Sequence, residues 1–188
     1  MPNLGIIASS ISGNLWAPGK DFDSIATVSG TGSSNTISFT SIPGTYRHLQ
    51  IRAIWNTTTG SALWPVYAKF NSDATAANYR SHVLDGYGAG SGSSYTNTTY
   101  PGAFIPSIGA GSGASTTMSP IVMDILDYKE TTKNKTTRLI CGVDMNGSGY
   151  INFASGLWMN TAAITQIDII STSGNQSSNT SFALYGVK

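Results

Sequence analysis

Residues 71–86 read NSDATAANYRSHVLDG, and within them stand Asp73, Arg80, Ser81, His82 and Asp85. Serine, histidine and aspartate are the nucleophile, base and orienting acid of a hydrolytic relay, which needs each member within hydrogen-bond reach of the next. The YRSHVLDG half reads as extended chain, where neighbouring side chains point to opposite faces. Ser81 and His82 then diverge, and so do His82 and Asp85, which are an odd number of residues apart. Ser81 and Asp85 share a face with no base between them. The set reads as polar residues decorating a strand and its caps, and no spacing ties the other histidine, His48, to it.

The remaining candidates are weaker still. The acids are eight aspartates and a single glutamate, Glu130, which sits in the lysine-rich turn YKETTKNKTT. A glycosidase needs two carboxylates facing one bond, and Asp124, Asp127, Asp144 and Asp168 are the residues that the fold would have to bring together. Asp124 and Asp168 alternate with apolar neighbours, as outward-facing strand residues do. The stretch DMNGSGYIN (144–152) echoes the start of a calcium loop, with Asp144, Asn146 and Ser148, but Ser155 stands where the bidentate glutamate belongs. A hairpin turn accounts for the same residues. The glycine strings GYGAGSG and GAGSG lack the strand before and helix after that a phosphate cradle requires. Cys141, the one cysteine, alternates with Leu139 and Val143 and reads as a small buried apolar residue. No cofactor and no metal is expected from these residues.

These residues must be positioned by a chain of 188 residues, 40% hydrophobic but only 10% charged, with a net charge of +1. That is the length of one domain with an appended segment. The hydrophobic content opposes disorder. The near-zero charge opposes nucleic-acid binding, which draws on the release of counterions by clustered lysine and arginine. Residues 1–21 form an expected N-terminal docking arm: they carry neither a signal-peptide pattern nor a membrane span, yet Leu4, Ile6, Ile7, Ile11, Leu15 and Trp16 make them too apolar for a solvated tail.

From residue 22 onward, period-two alternation recurs. FDSIATVSG and NTISFTSI flank GTGSS and read as a hairpin. RHLQIRAIW, WPVYAKFN, SPIVMDILDY, TTRLICGVDM, YINFASGLWM, AITQIDIIS and SFALYGVK supply further strands, and Trp55 falls in the inward phase of its own. The one helical turn expected is DATAANY, with Asp73 as its N-cap. About ten short strands without crossover helices predict an all-β, antiparallel two-sheet sandwich of jelly-roll type over residues 22–188. Residues 87–118 fit no strand and read as long Gly/Ser/Tyr-rich loops. Their Tyr87, Tyr95, Tyr100 and Phe104, set among small polar residues, resemble a binding surface in composition.

LGIIASSISGNLWAP, FDSIATVSG, ISFTSIPGTYRHLQIR, KFNSDATAANYRSHVLDG and the closing FALYGVK together resemble a group of small tailed-bacteriophage virion proteins, whose modules also stand at the ends of longer tail fibres. The match spans most of the chain outside the central loops and carries over no catalytic residue. It implies a non-enzymatic β-sandwich on the particle surface, oligomeric and often trimeric, in contact with other virion proteins. Two placements follow. One is a tail-fibre or adhesin-type module whose loop aromatics meet host surface glycans. The other is a capsid decoration protein clamped by its arm, which suits a short stand-alone chain. A polysaccharide-degrading enzyme is the third reading. If the arm docks, residues 1–18 resist limited proteolysis in the assembled protein, and mass spectrometry of the digest reads this directly.

Overall fold

A computed structural model describes residues 21–59, 62–88, 92–110 and 117–188, with backbone alone at 62–63 and 107–110. Among the described residues the alternating segments form β1 (Phe22–Ser29), β2 (Thr36–Phe39), β3 (His48–Trp55), β4 (Ala62–Phe70), β5 (Tyr79–Tyr87), β6 (Ser93–Asn97), β7 (Ala103–Ala110), β8 (Ser119–Leu126), β9 (Lys135–Asp144), β10 (Gly149–Trp158), β11 (Ile167–Ser171) and β12 (Ser181–Val187), with one 3-10 turn at Ala76–Asn78. They make an eight-stranded sheet in the order β1-β12-β3-β8-β9-β10-β5-β6 and a four-stranded sheet in the order β2-β11-β4-β7. The strand pairs are antiparallel throughout.

The pairs β2–β11, β3–β8, β4–β7 and β5–β6 are nested one inside the next, as in a long antiparallel ribbon rolled upon itself. That is the jelly-roll pattern. Two additions widen the larger sheet: the β9–β10 hairpin lies between β8 and β5, and β12 and β1 extend it beyond β3. The core is the inward phase of both sheets. Leu49, Ile51 and Trp55 of β3, Ile121, Met123 and Ile125 of β8, and Phe182 and Leu184 of β12 face Val66, Ala68 and Phe70 of β4 and Ile167 and Ile169 of β11. Each fully buried aliphatic side chain here contributes about 1.5–3 kcal/mol.

Three local expectations are corrected. GTGSS is not a hairpin: β1 and β2 belong to different sheets, and the linker carries the chain from one to the other. Its amides are satisfied elsewhere, Gly30 N–H donating to Thr180 O and Gly32 N–H to Gln176 O. A side chain at Gly30 would lie 2.1 Å from Ser177 O, so glycine is required by close approach rather than by a turn. Residues 87–118 contain two strands, β6 and β7. β6, SSYTN, is a sheet edge exposed over most of its length and so carries no apolar period. β7 is an edge strand too, which lets it accommodate Pro106. The expected turn at residues 144–149 forms as a two-residue hairpin, with Asn146 and Gly147 at φ 56° and 101° and Met145 N–H donating to Ser148 O.

Asp73 is the third correction. The short helix begins after Thr75 with no side-chain cap. The Asp73 carboxylate instead accepts Thr75 N–H at 2.9 Å, Asn78 Nδ2 at 2.8 Å and the indole N–H of Trp158 at 2.8 Å. Trp158 packs against Phe70 and Tyr79, and the Tyr79 hydroxyl accepts Phe70 N–H. Burial alone would raise the Asp73 pKa, but the bonds from Asn78, Trp158 and Thr75 prevail and hold it at about 2. A carboxyl depressed in the folded state gives stability that is full above its unfolded pKa of about 4 and is lost as pH falls toward 2. Chemical denaturation across that window should therefore show a steeper acid loss for the native chain than for Asp73→Asn. Asp73→Ala at neutral pH should cost about 1–3 kcal/mol, because the indole N–H loses its acceptor.

Candidate functional site

The Ser81–His82–Asp85 set comes apart as alternation requires. Ser81 is buried, and its Oγ accepts the main-chain N–H of Phe104 at 3.3 Å, joining the larger sheet to β7. His82 faces outward, between Ser155 and Thr96 on the adjoining strands. Asp85 accepts the Ser93 hydroxyl at 2.5 Å, and Arg80 donates to Ala77 O and Tyr79 O. His48 does meet an acid, since Asp127 Oδ1 lies 3.5 Å from its Nδ1. That Nδ1, however, accepts the Asp127 main-chain N–H at 2.9 Å. A relay base must donate from this nitrogen to its aspartate, so the contact has the wrong polarity. Lys133, hydrogen-bonded at 2.5 Å, together with the nearby Arg47 charge holds the Asp127 carboxyl below the usual range.

The other acids are dispersed. Asp124 lies on the outer side of the larger sheet, with Arg138 Nε at 2.7 Å and Gln50 Nε2 at 2.8 Å. Asp168 lies on the outer side of the smaller sheet, so the two carboxylates face opposite ways. Asp168 points outward as expected, yet it is buried: the Ser38 hydroxyl, the Gln166 amide and the Lys69 ammonium close over it. Asp144 is exposed and accepts Asn146 N–H within its turn. Cys141 is buried between Leu139 and Val143, and burial pushes its thiol up to about 12. A thiol so placed stays protonated at neutral pH and is a poor nucleophile.

The four loop aromatics do not gather into one surface. Tyr100 stacks between Tyr67 and Phe104, each at 5.6 Å, and Phe104 is buried. This stack covers the outer side of the smaller sheet. Tyr87 is exposed and stacks on Tyr150 at 5.6 Å at the far end of the larger sheet, while Tyr95 lies on edge strand β6. The arm residues Leu4, Ile6, Ile7, Ile11, Leu15 and Trp16 lie outside the described residues.

What the loop composition did not reveal is the outer face of the eight-stranded sheet. An antiparallel sheet with one solvated side should alternate apolar-in and polar-out. Here the direct cross-strand neighbours Val122, Ile140, Phe153 and Leu84 form an unbroken apolar row across β8, β9, β10 and β5. Phe153 is 58% exposed and Leu84 61%. The adjacent row adds Ile54, paired with Pro120, and Ile151, which is 56% exposed between Gly142 and Gly86. Val122, Ile140 and Ile151 also line an open depression with a cavity volume of about 1280 Å³, whose lining includes Met118 and, from the opposite phase in register with Val143, Tyr87 and Tyr150. On the other side the next row is polar: Gln50, Asp124, Arg138, Ser155, His82 and Thr96. The sequence signal was present in IVM, LIC and HVL, where both phases of a strand are apolar, the mark of a strand covered on both faces.

If Ser81 and His82 serve the fold rather than a reaction, their substitutions separate by burial alone. Ser81→Ala should cost about 1–2 kcal/mol in denaturant titration by leaving Phe104 N–H unpaired. His82→Ala should stay within about 0.5 kcal/mol of the native chain.

Comparison with known proteins finds no matching family model, no matching curated protein and no matching solved structure. A reading of the role therefore rests on the residues themselves.

Proposed function

We propose that this chain is a non-enzymatic structural subunit of a tailed-bacteriophage particle, displayed on the particle surface and working by association. The observation that carries this reading is the apolar row Val122–Ile140–Phe153–Leu84 on a sheet face with no second layer among the described residues. A contiguous apolar patch of this kind on a protein otherwise faced with hydroxyls and amides is the mark of an interaction surface. The candidate chemical groups support it from the other side, because apart from outward-facing His82 and buried Cys141 those described above are engaged in holding a turn, a strand or a sheet-to-sheet contact. The resemblance of the chain's strands to virion proteins gives the association its setting.

The face suits both placements: an accessory or decoration subunit of the capsid, and a tail-fibre module. One observation favours the tail-fibre form, the stack of exposed Tyr87 on half-buried Tyr150 in the lining of the depression, where planar rings with polar tips suit the apolar faces of sugars. Quantitative mass spectrometry of purified particles, referenced to the major capsid protein, tests the proposal. Hundreds of copies are expected for decoration and a few for a fibre. Absence from the particle, or release of sugar from host polysaccharide by the purified protein, overturns the reading.

A further inference from the structure

We infer that the outer face of the eight-stranded sheet is closed by a second copy of this chain, so that the assembling unit is a homo-oligomer held through Ile54, Leu84, Val122, Ile140, Ile151 and Phe153. The inference rests on the reading of the chain as an associating subunit and names the partner of that face.

Size is the first argument. Six large apolar side chains, exposed from 36% to 61%, lie on two adjacent rows spanning β3 to β5. Across those five strands the patch is roughly 19 Å wide at the usual ~4.8 Å strand spacing. It belongs to the several-hundred-Å² class that is often functional on the proteins that carry it. Two such faces brought together with their polar rim reach the ~1,200 Å² at which stable protein interfaces begin.

Charge is the second argument. From β8 to β5 the two apolar rows carry no ionisable side chain, so like meets like there without repulsion; on β3, Arg52 ends the first row beside Val122, with its guanidinium over the Phe22 and Tyr185 rings. The bordering row carries both signs, Arg138 and Asp124 at 2.7 Å, with Gln50 bonded to Asp124 and accepting Arg52 from the row beside it. A rim with paired opposite charges is compatible with a copy of itself, whereas a strongly acidic or basic partner finds nothing to complement. The sheet edges offer no competing route: β2 has four residues, β6 is short and polar, β7 contains Pro106, and β1 has an irregular register between Ser24 and Ala26.

The test is the solution mass of the full chain by sedimentation velocity over a concentration series. The native protein is expected as a closed oligomer, and Phe153→Lys should raise its dissociation constant by at least ~30-fold, the effect of burying a charge at a central position. Because the outer face is solvent-exposed in the protomer, the substitution leaves the core intact, which far-UV circular dichroism checks. If Phe153→Lys does not fold, Leu84→Ser, at the most exposed position, carries the same prediction. A full-length Ile7→Lys/Ile11→Lys variant separates the arm from the face and should keep the native mass if face meets face. A monomeric native chain overturns the inference, as does an oligomer that the face variants leave unchanged. Either result leaves the copy-number measurement on particles to decide the proposed function separately.

Discussion

The constraint from which the rest of this structure follows is a mismatch of width. Eight strands in one sheet are packed against four in the other. At about 4.8 Å between neighbouring strands, the edge-to-edge spans are roughly 34 Å and 14 Å. The small sheet lies over part of the large one, with β2 near β1 and β7 on β9, β10 and β5. That suffices to bury the inward phase of β3, β8, β9 and β12. It leaves Tyr95 on β6 uncovered at one margin and gives the outer side of the large sheet no second layer among the described residues. A sheet this wide, built from strands apolar in both phases, is one whose second face also needs cover.

The low charge of the chain belongs to the same design. Two of the buried charged groups show this: Asp168 is paired with Lys69 and hydrogen-bonded, and Lys135 is satisfied by the main chain. Lys135 is fully buried, and its ammonium donates to the main-chain carbonyls of Glu130, Lys133 and Thr161. It ties the β8–β9 turn to the segment after β10. Burial lowers its pKa, yet three carbonyl acceptors meet the three donors of an ammonium, which is the condition for keeping such a group inside. Asp73 does the corresponding work with three donors at the base of the Phe70–Tyr79–Trp158 cluster. Residues that resemble chemical equipment in the sequence are thus polar ties in a fold that has few of them.

Much of the fold was legible because alternation is local. The inward phases of RHLQIRAIW and TTRLICGVDM are the buried phases of β3 and β9, and Trp55 and Cys141 are in the core as their phase requires. The nested pairing was not legible in detail, since β2 meets β11 across more than a hundred residues and nothing in TISF names IDIIS as its partner. β6 escaped because an edge strand exposed on both sides has no hydrophobic period to read. Asp73 was misassigned because an aspartate before a short alanine run has the same local signature whether it caps the turn or accepts a distant indole. The loop aromatics show the same limit: composition shows that tyrosines are near in sequence, and only the fold shows that Tyr100 stacks with Tyr67 and Phe104 while Tyr87 stacks on Tyr150.

The outer face and the sheet edges together explain why an exposed apolar row can be carried without indiscriminate pairing. Unpaired strand edges are the general hazard of open sheets, since their free N–H and C=O groups accept any extended segment. Each edge here is blunted by a different device: brevity in β2, polar side chains in β6, proline in β7 and an irregular register in β1. Main-chain pairing, which carries little sequence information, is thereby discouraged. Side-chain packing on the face is left available, and that contact depends on the shapes of Phe153, Leu84 and Ile140 and on the polar row beside them. The apolar surface is confined to the one place where association is selective.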